Sequence, residues 1–273
     1  MTDVRRRFAS LVATDGDIDL ARAALLIAEE EYPQLTAEPY LHRLDLFAEM
    51  VKDRLANETA APVLLGEISK VLFQEEAFKG NAEAYYDPRN SFLNDVLDRH
   101  LGIPITLGII YMEVGWRLNV PLGGVNFPGH FLVRYEGEAL RLLVDPFQAG
   151  QVRFEDEAQE LLDRVYGGTV KLQDTYLRAA SKRDILTRLL SNLKTIYLNT
   201  RDDERALAAV ERILLIRPDS PEEVRDHGMI LARRGLVDEA IAEFEHYLDV
   251  LPGAPDATRV RMLIEELAKE SSP

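Results

Sequence analysis

The chain has 273 residues, 47% of them hydrophobic and 29% charged, and a formal net charge of -15. A strongly acidic balance argues against a broad nucleic-acid or anionic-membrane surface, since phosphate recognition needs clustered Lys and Arg. There is no cysteine, so disulfides, thiolate nucleophiles and Cys-ligated zinc are excluded, and a cytoplasmic location with no metal and no cofactor is expected.

The start shows no long apolar segment of a signal peptide, and Arg5-Arg6-Arg7 reads as a solvated terminus. No stretch approaches the 18 or more apolar residues of a membrane span. Asp19 to Ala28 is rich in strong helix formers and ends before Pro33. A second helix follows Pro39, with Leu41, Leu44, Phe47, Ala48 and Val51 on one stripe, and a third covers Val63 to Phe73. The chain then turns loop-like through Gly80-Asn81 and Asp87-Pro88-Arg89-Asn90.

From Ser91 to Leu97 a short helix is expected, with Asn90 or Ser91 as its cap. Pro104, suited to a first turn, opens a helix over Ile105 to Leu118 that is apolar almost all round and therefore buried. Gly123-Gly124 reads as a turn. Two strands, around His130 to Tyr135 and Arg141 to Phe147, form an antiparallel hairpin. With a loop at Gly137-Glu138, His130 faces Asp145 across the hairpin, at roughly 4.5–5.5 Å between Cβ atoms. A carboxylate beside an imidazole is the base half of a nucleophilic triad. The same pair also fits a histidine held beside a Pro-Gly turn.

After Phe147 a polar connection runs to about Lys171, and helices follow to the end. Residues 202–220 align with 236–254 at the 34-residue period of tetratricopeptide repeats: Ala206 with Ala240, Val210 with Phe244, Pro218 with Pro252. Gly228 takes the small-residue position of the second repeat, where the first has Lys194. His42, His100, His227 and His246 show no metal-ligand spacing, and no Gly-rich phosphate loop is present.

The runs YYDPRNSFLNDVL, GIPITLGIIYMEVGWRLNVPLGGVNFPGHFLVR and LLVDPF resemble the bacterial SirB-type family, in which a transglutaminase-like domain precedes tetratricopeptide repeats. The resemblance spans essentially the whole chain. It implies an α+β fold: a papain-like transglutaminase-type core, with an N-terminal helical layer over residues 1–80 and the central helix and strands over 81–175, followed by an all-α tetratricopeptide pair with a capping helix over 182–273. In active relatives a Gly-x-Cys opens the central helix. Carried over, Gly102 matches the glycine, His130 the catalytic histidine and Asp145 the aspartate, while the cysteine position falls on Pro104. Proline has no nucleophilic atom.

His130 and Asp145 are therefore expected as a remnant dyad. Tyr86, Asp87, Arg89, Asn90, Ser91, Thr106 and Asn126 are candidates for a cleft beside it. Thr106 sits two residues, about 200° of helix rotation, from position 104 and is expected to bond within its helix. The expected function is non-catalytic binding or regulation of a protein or peptide, without nucleic acid or membrane. The alternative is a hydrolase or acyltransferase using His130 and Asp145 with a Ser, Thr or water nucleophile.

Overall fold

The computed structural model describes residues 1–13, 16–55, 58–137 and 140–270. The chain divides into two compact units, Met1–Leu189 and Leu190–Pro273.

The first unit opens with three helices, α1 (Asp3–Val12), α2 (Leu20–Glu31) and α3 (Glu38–Leu55). The expectation of a solvated start is corrected: Phe8 and Val12 of α1 are buried, and Arg5 and Arg7 pair with Glu30 and Glu29 of α2. Asp19 caps α2, accepting from the Arg22 N–H at 3.0 Å. Then α4 (Ala61–Ser69) runs into a π-helical turn, Lys70–Glu75, in place of one continuous helix to Phe73.

A parallel two-residue pairing joins β1 (Lys79–Gly80) to β2 (Leu101–Gly102), on either side of α5 (Leu93–Arg99). Ser91 does not cap α5: Phe92 holds the cap position with no side-chain bond, and the Ser91 hydroxyl is buried without a partner among the described residues. The central helix α6 (Pro104–Arg117) is buried from Pro104 through Gly115. A carboxylate sits inside this apolar helix. Glu113 is 6% exposed and accepts from the Ala21 N–H of α2 at 3.0 Å and from Arg117 at 2.5 Å. Burial pushes its carboxyl up, and Arg117 partly offsets that.

α6 packs on a five-stranded antiparallel sheet of order β6-β5-β4-β3-β7. Its strands are β3 (Leu122–Val125), β4 (Leu132–Tyr135), β5 (Leu142–Asp145), β6 (Gln151–Phe154) and β7 (Ala179–Ala180). Three of these were missed. Gly123 and Gly124 lie in β3, not in a turn, paired with Arg134 and Val133; glycine is needed at 124 because a Cβ there would be 2.7 Å from the Phe131 ring. The connection after Phe147 contains β6 and α7 (Ala158–Tyr166), whose Ala158, Leu161 and Leu162 pack beneath the sheet.

The hairpin register is also corrected. Val133, not Phe131, pairs with Val144, and the last pair is Tyr135 with Leu142. The connection is therefore longer than a two-residue turn, and its Glu138 and Ala139 lie outside the described residues. The shift is two residues, an even number, so no side chain changes face.

The unit boundary falls within α8 (Lys182–Thr200). The second unit continues with α9 (Asp203–Ile216), α10 (Pro221–Arg233), α11 (Val237–Val250) and α12 (Ala257–Glu270). α9 and α11 have 14 residues each and end two residues before Pro218 and Pro252. Gly228 meets the Phe244 ring, which would be 2.8 Å from an added Cβ. At the equivalent position the Lys194 ammonium is tied to Glu223 and Asp226, each at 2.8 Å. Burial disfavours that charge, but the two carboxylates hold it above the ordinary lysine range.

Candidate functional site

His130 is placed by a turn that its own sequence encodes. In Phe127-Pro128-Gly129-His130 the His130 N–H donates to the Phe127 carbonyl at 3.0 Å, and Gly129 takes φ 68°. Pro at the second position and a left-handed Gly at the third are the requirements of a type II turn. Any Cβ at Gly129 would also meet Val165 at 2.9 Å and the Tyr166 hydroxyl at 3.3 Å. The imidazole thus leaves the chain ahead of β4, outside the ladder.

Asp145 ends β5 and caps the 3-10 turn Pro146–Gln148. Its Oδ1 accepts from the Phe147 and Gln148 N–H groups at 3.1 and 3.2 Å, and from His130 Nε2 at 2.9 Å. Asp145 is 3% exposed, while the His130 side chain is 15% exposed. A carboxylate can only accept, so Nε2 carries the proton of this bond and Nδ1 is the ring nitrogen left for a ligand. No hydroxyl among the described residues shares a hydrogen bond with the ring.

Phe147 connects this dyad to the start of α6. Its ring stands edge-on to His130 with centroids 6.1 Å apart, and edge-on to Tyr85 at 6.3 Å. It also lies over Gly80, where a Cβ would be 2.5 Å away, and Gly80 pairs with Gly102, two residues ahead of Pro104. Pro104 occupies the first turn of α6, where its missing N–H leaves no bond unmade.

The other expected cleft residues separate into two groups. Tyr86 is 69% exposed and packs edge-on to Tyr85. Asp87 accepts from the Arg89 N–H and pairs with its guanidinium at 2.7 Å, with Arg99 at 3.6 Å. The Arg89 hydrogen bond holds the Asp87 carboxyl below the usual range. Asn126 is half-buried, and its Oδ1 faces Arg188 Nη1 at 3.5 Å. By contrast, Asn90, Ser91 and Thr106 are buried and present no surface to a ligand. Asn90 donates to the Ala84 carbonyl at 2.7 Å and accepts from Asn81 at 3.1 Å. The Thr106 hydroxyl accepts from the Ile103 N–H at 3.1 Å and donates to the Asn90 carbonyl at 2.8 Å.

Phe147, Tyr166 and Arg188 were not among the expected site residues. Arg188 comes from α8, far along the chain, and donates to the same Phe127 carbonyl as His130, at 3.1 Å. Burial holds the Tyr85 phenol above its ordinary range. A concavity of about 550 Å³ lined by Trp116, Gly123, Glu136 and Lys182 excludes the dyad; its Lys182 is already paired with Asp17 at 2.7 Å. No helix among the described residues is long and apolar enough to cross a membrane, and no cluster of His, Asp or Glu among them could hold a metal ion.

Comparison with known proteins agrees with this architecture. Residues 38–191 match the family model described as the transglutaminase-like superfamily, and residues 193–265 match a tetratricopeptide repeat. A UPF0162 protein of Xylella fastidiosa is 37% identical over 265 residues, covering 96% of this chain and 94% of that protein. A UPF0162 protein of Pseudomonas aeruginosa is 34% identical over 203 residues, covering 73% and 72%. Protein SirB1 of Salmonella typhimurium is 28% identical over 240 residues, covering 83% and 88%. The chain belongs to the SirB-type family, with a transglutaminase-like core followed by tetratricopeptide repeats.

Proposed function

We propose that the His130 site binds a protein or peptide group without cleaving it, and that the chain serves as a binding or regulatory adaptor. One observation carries this reading: the imidazole is held by Asp145, while the first turn of α6, to which the resemblance assigns the cysteine of active relatives, holds Pro104. Acyl transfer through a covalent intermediate needs a nucleophile beside the base. Here the chain has no thiol, the Thr106 hydroxyl is consumed by backbone groups, and the Ser91 hydroxyl is buried. The tetratricopeptide unit supports a recruiting role, since such repeats bind peptides along their helical faces. The reading predicts that the full chain releases no ammonia from glutamine peptides and cleaves no ester or amide. It also predicts that such peptides shift the NMR signals of the His130 ring saturably. Turnover abolished by His130→Ala would overturn it.

A second reading, hydrolysis with water as nucleophile, is favoured by the 15% exposure of the His130 side chain and the open Nδ1. In it Nδ1 takes a proton from water while Asp145 holds the ring. The same assay separates the two. Hydrolysis that is unchanged in His130→Ala rejects this assignment as well.

A further inference from the structure

Arg188 brings a cationic side chain to the backbone of the Phe127–His130 turn. Its Nη1 donates to the Phe127 carbonyl at 3.1 Å and approaches Asn126 Oδ1 at 3.5 Å. Both acceptors are neutral. Nε and Nη2 have no protein partner among the described residues, and neither is among the buried polar atoms left without one. That free edge is the planar fork which meets a carboxylate with two parallel N–H···O bonds.

The surrounding charges sharpen the point. The chain has 47 acidic against 32 basic residues, yet no carboxylate among the described residues forms an ion pair with Arg188. Asp184, one helical turn earlier on α8, instead accepts from the Ser181 N–H at 2.9 Å and hydroxyl at 2.6 Å. The groups felt through space are the Tyr85 and Tyr166 phenols, and burial lowers the guanidinium's proton affinity below its ordinary range. A partly buried cation with only neutral acceptors has lost hydration without gaining a counter-charge. An anion delivered by a ligand supplies it.

We infer that Arg188 is the anion-recognising residue of the His130 site and takes a carboxylate of a bound peptide side-on through Nε and Nη2. This deepens the proposed binding function and rests on it. Arg188 Nη1 and the His130 backbone N–H share the Phe127 carbonyl, so a carboxylate on the fork is bound beside the turn that carries His130. Either a chain-terminal or an acidic side-chain carboxylate has this chemistry.

The test uses the full chain and follows the His130 ring signals by NMR during titration with four probes. They are N-acetyl-glycylglycine, its C-terminal amide, N-acetyl-glutamate amide and inorganic phosphate. The expected result is saturable shifts with one or both carboxylate peptides, at least tenfold weaker with the amide and with phosphate. Which carboxylate binds more tightly separates a terminal from a side-chain source. Arg188→Gln should weaken the carboxylate at least tenfold and leave the amide unchanged, while Arg188→Lys, which keeps the charge without the fork, should fall between them. A melting curve on each variant confirms folding. Equal binding of carboxylate and amide, undiminished binding in Arg188→Gln, or equal binding of phosphate overturns the inference and leaves the peptide-binding reading standing. Silence of the ring towards all four probes overturns both.

Discussion

Asp145 binds His130 with the same oxygen that caps the turn after β5, so one carboxylate atom serves both the imidazole and the backbone. The two roles separate by mutation. Asp145→Ala strands the Phe147 and Gln148 N–H groups and should cost about 2–3 kcal/mol. His130→Ala leaves Asp145 with both backbone donors and should cost about 1 kcal/mol or less. Urea unfolding of the two variants measures this. Equal losses would mean that the histidine is a structural part of the turn.

Pro104→Cys asks whether position 104 belongs to the site. A thiol in the first turn of α6 lies at the positive end of the helix, which lowers its pKa below about 8.5. With no other cysteine in the chain, iodoacetamide labelling against pH reports this residue alone. The expected midpoint is below that of a free thiol, and His130→Ala in the same background should move it upward. A folded variant that resists labelling at every pH would remove position 104 from the His130 site.

Asp87 carries a pH dependence with a definite sign. The Arg89 hydrogen bond holds its folded-state carboxyl below the ordinary value, so its stabilisation is present above the unfolded pKa of about 3.9. It is lost as pH falls through the lower, folded value. Asp87→Asn keeps the acceptor for the Arg89 N–H but not the ion pair. Its melting temperature should lie below that of the parent near neutrality, and the gap should close in acid. A gap independent of pH would contradict the assignment.

Gly108 tests how tightly α6 meets the sheet. Alanine gains about 1 kcal/mol in helix propensity, but its Cβ would be 2.5 Å from the Phe131 ring, which is fully buried. Overpacking of that kind costs about 1–3 kcal/mol. A net loss of stability in thermal or urea unfolding is therefore expected for Gly108→Ala. A gain would show that the ring can yield.

The parts legible in the sequence were those set by local rules. The 34-residue period placed α9 and α11 in register, and Gly228 lies under Phe244 as a small residue at a helix crossing should. The run of helix formers from Asp19 and the proline at position 104 also marked two helices, α2 and α6. What stayed hidden depended on distant neighbours. Gly123-Gly124 carries the signature of a turn, and only the distant neighbours, Glu136 at Gly123 and the Phe131 ring at Gly124, show why a strand has glycines there. β6 and α7 are short and largely polar, with just a few residues of α7 reaching the core. The hairpin register depended on a connection of unknown length, so His130 meets Asp145 from a turn and not from the opposing strand. Arg188 reaches the site from α8, and no spacing rule joins it to His130.

The buried Glu113 has a consequence for where this domain can be cut. Its carboxylate receives the Ala21 N–H at the head of α2, yet the transglutaminase-like family match begins at residue 38. A chain shortened to that point would keep the acidic group inside α6 and lose one of its two donors, along with the helix that seals it from water. The edge of the family match is thus not an edge of folding. The helices ahead of residue 38 act as a lining for the central helix, and recombinant fragments that omit them should expose it.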